Sequence, residues 1–275
     1  MPKRVQSASS INMYKLCPRK YYYAYIENLP TSPSIHTVRG NVVHSVLEDF
    51  FDVNPTGVQK DACRPFLQER IIGLLVRHWQ EYKPEFDKLD ITPLEMAKFK
   101  EETVVMLLNW LNHFVNRVFA LPGSFEESFK KLVPIREQFF ESSKYMVRGY
   151  VDAIEQVDGK IHIIDYKTSK SAHLSDEYKL QMAIYLLLYQ EKHGGLPHKA
   201  SFFFLKHHSV DVPVDQELVE MAKKEVLEIH ARTESSDNKH EYQMQPGPLC
   251  RYCDFYGMCY PKQRKLTDMD KPLPL

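Results

Sequence analysis

Residues 146–170 hold the densest chemistry in the chain. Met146–Val157 and Lys160–Lys167 are rich in Val, Ile and Tyr, and Asp158-Gly159 separates them. Asp-Gly between two such runs signals a two-residue hairpin. Taken literally, the turn pairs Val157 with Lys160, Ile154 with Ile163 and Asp152 with Asp165. Side chains directly opposite in an antiparallel pair share a face, with Cβ atoms about 4.5–5.5 Å apart. Two carboxylates at that spacing repel unless a proton, a cation or a metal lies between them. Hard oxygen donors converging in this way suit Mg²⁺ or Mn²⁺. Lys167 falls two residues beyond Asp165 and so on the same face. Solvated aspartates on an exposed hairpin are the plainer alternative, but Ile154 and Ile163 share their face. A one-residue bulge would move one aspartate to the other side.

Further candidates flank the hairpin. Val42, Val43, Val46, Leu47, Phe50 and Phe51 repeat at helical spacing and mark a core stripe. His44 and Glu48, four apart, sit beside it and could face a pocket edge, although a histidine beside an apolar stripe is more often packed or capping. Glu137 lies in the strand expected before the hairpin. Gln181 and Tyr185 are one turn apart on the helix expected after it.

A second constellation is made of cysteines. Cys250, Cys253 and Cys259 form C-x2-C-x5-C, and Cys17 stands near the other terminus beside Tyr21, Tyr22, Tyr23 and Tyr25. Three clustered thiols need one more ligand to close a four-coordinate site. Spacing leaves structural zinc and an iron–sulfur cluster evenly matched. Either would clip residues 246–262 onto the N-terminal helix. Cys63, in a charged segment, reads as a free surface or helix thiol. The tyrosines, with Arg19 and Lys20, could stack bases of a single strand, or pack around the metal.

The elements that must position these groups are legible. Helices are expected near Ser10–Glu27, Arg39–Asp52, Gln59–Tyr82, Pro93–Phe119, Asp176–Glu191 and Asp215–Thr233. Strands are expected at Ile135–Glu141, in the hairpin and at Ala200–Lys206. This is an α/β chain with a mixed sheet flanked by helices. The 275 residues carry 36 basic and 36 acidic side chains, 43% hydrophobic and 26% charged. Those values exclude a disordered chain, and neutrality argues against a non-specific nucleic-acid coat while leaving room for a local basic groove. The apolar run Ala183–Tyr189 is too short to span a bilayer. The N-terminus has basic residues and no acid before Glu27, as in a transit peptide, but its aromatics and Cys17 favour a folded segment. An intracellular, cytoplasmic and nucleoid-associated protein is expected, without a membrane. No Walker A pattern occurs, so the chain has no helicase motor of its own.

In this order the motifs resemble the PD-(D/E)XK nuclease superfamily, and within it the RecB-like branch with an iron–sulfur cluster, which includes CRISPR-associated RecB-like exonucleases and the nuclease domain of AddB. The matching residues are Ser9-x-Ile11 with Cys17-Pro18, Gly40-x3-His44-x3-Glu48, Glu137, Gly149-x2-Asp152, Asp165-Tyr166-Lys167, Gln181-x3-Tyr185 and the closing cysteines. The resemblance implies a restriction-endonuclease-like core over residues 1–275. It implies Mg²⁺ or Mn²⁺ on His44, Asp152, Asp165 and the Tyr166 carbonyl, with Lys167 stabilising charge and Glu137 as a further carboxylate. Gln181 and Tyr185 would orient the nucleic-acid backbone. It favours [4Fe–4S] on Cys17, Cys250, Cys253 and Cys259 over zinc. The implied activity is a DNA exonuclease acting on single strands or ends, in repair, recombination or CRISPR adaptation, with a helicase or CRISPR adaptation proteins as partners. The alternative is an adaptor subunit with secondary cutting. Residues 54–123 match no family motif and are expected to form a helical insertion, either an arch over DNA or a partner surface.

Overall fold

The computed structural model describes residues 4–234 and 238–261, so position 262 of the expected tail lies outside the described residues. Five strands form one sheet in the order β1-β2-β3-β4-β5: β1 Ile135–Ser142, β2 Val147–Val157, β3 Lys160–Lys167, β4 Lys199–Phe204 and β5 Ser209–Val212. β1, β2 and β3 run antiparallel, β4 is parallel to β3, and β5 is antiparallel to β4. Parallel neighbours need a crossover, supplied by the helix Asp176–His193. The hairpin forms at Asp158-Gly159, with φ of 51° and 75° and Val157 opposite Lys160. Both residues are left-handed, as a type I′ turn requires.

Helices cover both faces. In chain order they are α1 Ala8–Leu16, α2 Pro18–Tyr21, α3 Ile35–Phe50, α4 Cys63–Glu81, α5 Lys83–Phe86, α6 Pro93–Ala120, α7 Phe125–Leu132, α8 Asp176–His193, α9 Gln216–Thr233 and α10 Tyr256–Cys259. α6 starts with a capping box between Thr92 and Glu95 and with Pro93 in its first turn. It buries Met106, Trp110, Phe114 and Val118, a stripe at helical spacing. That stripe joins α3, α4 and α7 and lies on Tyr166 and Phe203 of the sheet. Residues 54–123 are therefore mainly helical and contribute a core layer. Cys63, fully buried at the start of α4, is a core thiol and not a surface one. α1, α8 and α9 cover the other face, on Val147, Val151, Ile154, Ile163 and Phe202.

Local chemistry moved some expected boundaries. One N-terminal helix was expected over Ser10–Glu27, but the chain breaks at Cys17-Pro18 and resumes as α2 and a π-helical turn, Tyr22–Ile26. Proline disfavours helical ψ at the residue before it, and Cys17 is extended at φ −164°, ψ 109°. α7 and β5 were not foreseen. α7 carries its own signal, a Ser124–Glu127 capping box. Among the described residues no single helix is long and apolar enough to cross a membrane; α6 and α7 pass on length and composition only as a pair bent by 119°.

A third cluster joins the chain ends. Tyr21, Tyr22 and Tyr23 pack with Tyr242 and Phe255, against Cys253 and Cys259. These three tyrosines are buried, so they form packing rather than a platform for bases. Arg19 ties the segments further, its Nε donating to the Tyr242 carbonyl at 2.7 Å and its N–H to Gln243 O at 3.2 Å.

Candidate active site

The site forms where β2 loses its regular alternation. Val151 packs toward α8, yet Ala153, two residues on, packs with the α3 layer, and Ile154 returns to the α8 side. The strand thus turns over at Asp152. Across from it on β1, Arg136 pairs with Ala153 and Gln138 with Val151, which sets Glu137 against Asp152. Glu137 has φ 44°, a left-handed conformation rare for a side-chain-bearing residue within a strand. Such strain persists where the surroundings enforce it, commonly at functional sites.

Asp152 and Asp165 are not a direct ladder pair. Main-chain pairing of β2 with β3 ends at Ala153↔Ile164. One step further, Asp152 Oδ2 accepts the Tyr166 N–H at 2.7 Å. This corrects the expected face-to-face contact: the turnover of β2 swings Asp152 toward α3, while Asp165 stays turned to α8. Two adjoining half-sites result.

In the first, His44 Nδ1 from α3 lies 3.4 Å from Asp152 and 3.9 Å from Glu137. One donor atom from each of His44, Glu137 and Asp152 lies within 4.8 Å of the others, close enough to hold one metal ion. Glu48 and Tyr166 line the same small cavity. Burial works against a charged imidazole, but Asp152, Glu137 and Asp165 outweigh it and raise the His44 pKa well above the usual 6.5. Burial and the Glu137 carboxylate push Glu48 upward. The field is anionic and suited to a cation.

In the second half-site, Asp165 is 1% exposed. Its Oδ2 lies 2.6 Å from Lys167 Nζ, and Oδ1 accepts from Gln181 Nε2 at 2.9 Å and Tyr185 Oη at 3.3 Å. Burial, opposed by Lys167 and aided by Asp152, pushes its pKa up to about 6. The influence of Asp152 here, and of Asp165 on His44, shows that the half-sites share one field. Lys167 donates to Gln181 Oε1 at 2.7 Å, and its ammonium lies 5.0 Å from the Tyr178 ring centroid and 5.3 Å from that of Phe202. Burial disfavours its charge, but Asp165 and Asp152 more than compensate and raise its pKa.

Gln181 and Tyr185, expected to reach nucleic acid, instead spend their polar atoms on Asp165, Lys167 and each other. Tyr178 and Phe202 were missed. The available signal was Tyr178, three residues before Gln181 and so on the same helix face. Gly149 is explained by packing: a Cβ there would meet Tyr185 Cε1 at 3.0 Å. Gly149→Val is expected to displace Tyr185, cost about 1–3 kcal/mol as overpacking does, and slow catalysis. Thermal melts and initial rates check this.

Away from these half-sites, Cys17, Cys250, Cys253 and Cys259 line one small cavity of about 30 Å³. Burial raises the Cys259 pKa, and charge on Cys253, Cys17 and Cys250 adds to it against Arg19. Four thiols lining one cavity offer a donor set for a metal centre.

The profile of the PD-(D/E)XK nuclease superfamily matches residues 6–260. The chain belongs to this superfamily. PD-(D/E)XK nucleases use divalent metals, and the His44–Glu137–Asp152 group offers the donors for one. The chain is 30% identical over 119 residues to the CRISPR-associated exonuclease Cas4 of Francisella tularensis subsp. novicida, a match spanning 43% of this chain and 59% of that relative. It is 22% identical over 272 residues to the Gene 69 protein of Mycobacterium phage D29, covering 93% of this chain and 96% of that one. A crystal structure from Eubacterium rectale aligns over 90% of each chain at 12% identity, with a TM-score of 0.44. The mixed five-stranded sheet between helical layers fits the restriction-endonuclease-like fold of this PD-(D/E)XK chain.

Proposed function

We propose that this protein is a Mg²⁺- or Mn²⁺-dependent DNA exonuclease, acting on single strands or ends and stabilised by a [4Fe–4S] cluster. The observation that carries the reading is the convergence of His44, Glu137 and Asp152 beside the Asp165–Lys167 pair. The similarity to Cas4 favours a repair or CRISPR-adaptation setting, with an adaptor role as the second reading.

His44, Glu137 and Asp152 would hold the ion, with Asp165 and the Tyr166 carbonyl beside it. When bound, a divalent ion supplies an activated water and neutralises charge on the phosphate. Lys167 is a charge stabiliser and not a general base, because the carboxylates around it hold its proton on. Gln181 and Tyr185 fix Asp165, and Asp165 with Gln181 aims the ammonium. Asp152, through the Tyr166 N–H, holds the end of β3 against β2. Cys17, Cys250, Cys253 and Cys259 would hold the cluster, which supplies a cross-link between the chain ends.

The test is degradation of end-labelled single- and double-stranded DNA with Mn²⁺. Wild type should cut, and Asp152→Ala should not, with unchanged visible absorbance. Equal cutting by both would refute the site assignment.

A pH dependence follows. Asp165 must be ionised to serve the site, and its pKa is about 6 rather than the ordinary 3.8. His44 must lose a proton that its neighbours hold well above pH 6.5. Both requirements point the same way, so Mn²⁺ affinity should rise as pH increases from 6 through 8, with proton release on binding. Calorimetry in buffers of different ionisation enthalpy measures this.

A further inference from the structure

Most large aromatics in this protein are buried, but one cross-strand pair beside the active site is not. Phe139 and Tyr150 are directly opposite on β1 and β2, 38% and 57% exposed, with ring centroids 4.9 Å apart. Val147 and Val151 of β2 pack toward α8, so the alternate positions 148 and 150 face away from it. The next position in that row is Asp152, and the row on β1 likewise runs from Phe139 to Glu137. Two residues of strand span about 7 Å, so the rings stand one step from the proposed metal ligands. Arg148, exposed and one step further, has no ion-pair partner among the described residues, with Glu141 opposite it across the strands. β1 is the sheet's edge, which leaves the row open on that side.

A metal-ligating acid, an aromatic pair and a cation in one line match a nucleic-acid strand, whose phosphate, base and next phosphate recur along its length. Resting on the nuclease reading above, we propose that Phe139 and Tyr150 stack an unpaired base next to the scissile phosphate and so select single-stranded DNA. Interior bases of a duplex are stacked on both faces and present no free ring face to the pair. Base–aromatic stacking is worth about 1–3 kcal/mol per base, which is roughly 5- to 150-fold in affinity.

Initial rates with Mn²⁺ test this on labelled dT20, on a strand of equal length with abasic sites at its degraded end, and on a blunt duplex. Phe139→Ser/Tyr150→Ser should raise KM for dT20 by about 10-fold or more, with kcat changed less than 2-fold. Tyr150→Phe should behave as wild type. The abasic strand should give wild type a KM like that of the double variant. Both rings are exposed, so the melting temperature should hold. If wild type handles dT20 and the abasic strand with equal KM, or if the double variant does not change KM, the stacking site is overturned and the nuclease reading stands. If wild type cuts none of the substrates, both fall together.

Discussion

Lys167→Ala is expected to slow phosphodiester hydrolysis by about 100- to 1000-fold, the loss that follows removal of one preorganised charge-stabilising donor. The ammonium is aimed by Asp165, Gln181, Tyr178 and Phe202 together, so it needs little reorganisation as charge develops on the phosphate. Its removal also strands the Asp165 carboxylate, which is almost wholly buried. The Asp165 pKa should then climb above about 6, since burial and Asp152 both raise it and Lys167 is the chief opposing influence. The activity loss should therefore be largest at mildly acidic pH and smaller at pH 8 to 9. Lys167→Arg should not rescue, because a planar guanidinium does not replace a compact ammonium between two rings. A pH-rate profile of the two variants checks both statements. A Lys167→Ala enzyme within 3-fold of wild type at every pH would remove the lysine from the chemistry.

Cys253→Ala should abolish the cluster's visible absorbance and lower the melting temperature by about 10 °C. The size follows from several kcal/mol of metal-linked folding energy and about 2–4 °C per kcal/mol for a chain of this size. Cys17 and Cys250 are far apart in sequence, so a shared cluster closes a very long loop. The chain ends would still meet, because Tyr21, Tyr22, Tyr23, Tyr242 and Phe255 remain packed and Arg19 still binds the Tyr242 and Gln243 carbonyls. The variant is therefore expected to fold and to melt early, not to unfold outright. Iron and sulfide content, absorbance and calorimetric melting provide the readouts. A wild type that is colourless and holds zinc would assign the thiols to a different centre.

What the sequence revealed depended on how local the cause was. The Asp158-Gly159 turn was legible because two left-handed residues in a row have few sequence solutions. The α3 and α6 stripes were legible because burial on one helix face imposes its period on the residues. The break at Cys17 was foreseeable from Pro18, had its effect on the preceding residue been applied. The turnover of β2 between Val151 and Ala153 was not legible, since no residue there marks it locally and it coincides with φ 44° at Glu137 on the neighbouring strand. That long-range coupling also hid the division of the carboxylates into two half-sites. Tyr178 and Phe202 come from different elements, and only the folded β4–α8 contact brings both rings to Lys167.

The most direct test is Mn²⁺ binding at equilibrium, read from the electron paramagnetic resonance signal of the free ion, for wild type and Asp152→Ala at pH 8. The predicted result is a site in wild type that weakens at least 10-fold in the variant, whose cluster absorbance stays the same. Equal affinity in the two proteins would contradict the assignment of His44, Glu137 and Asp152 as the seat of the ion.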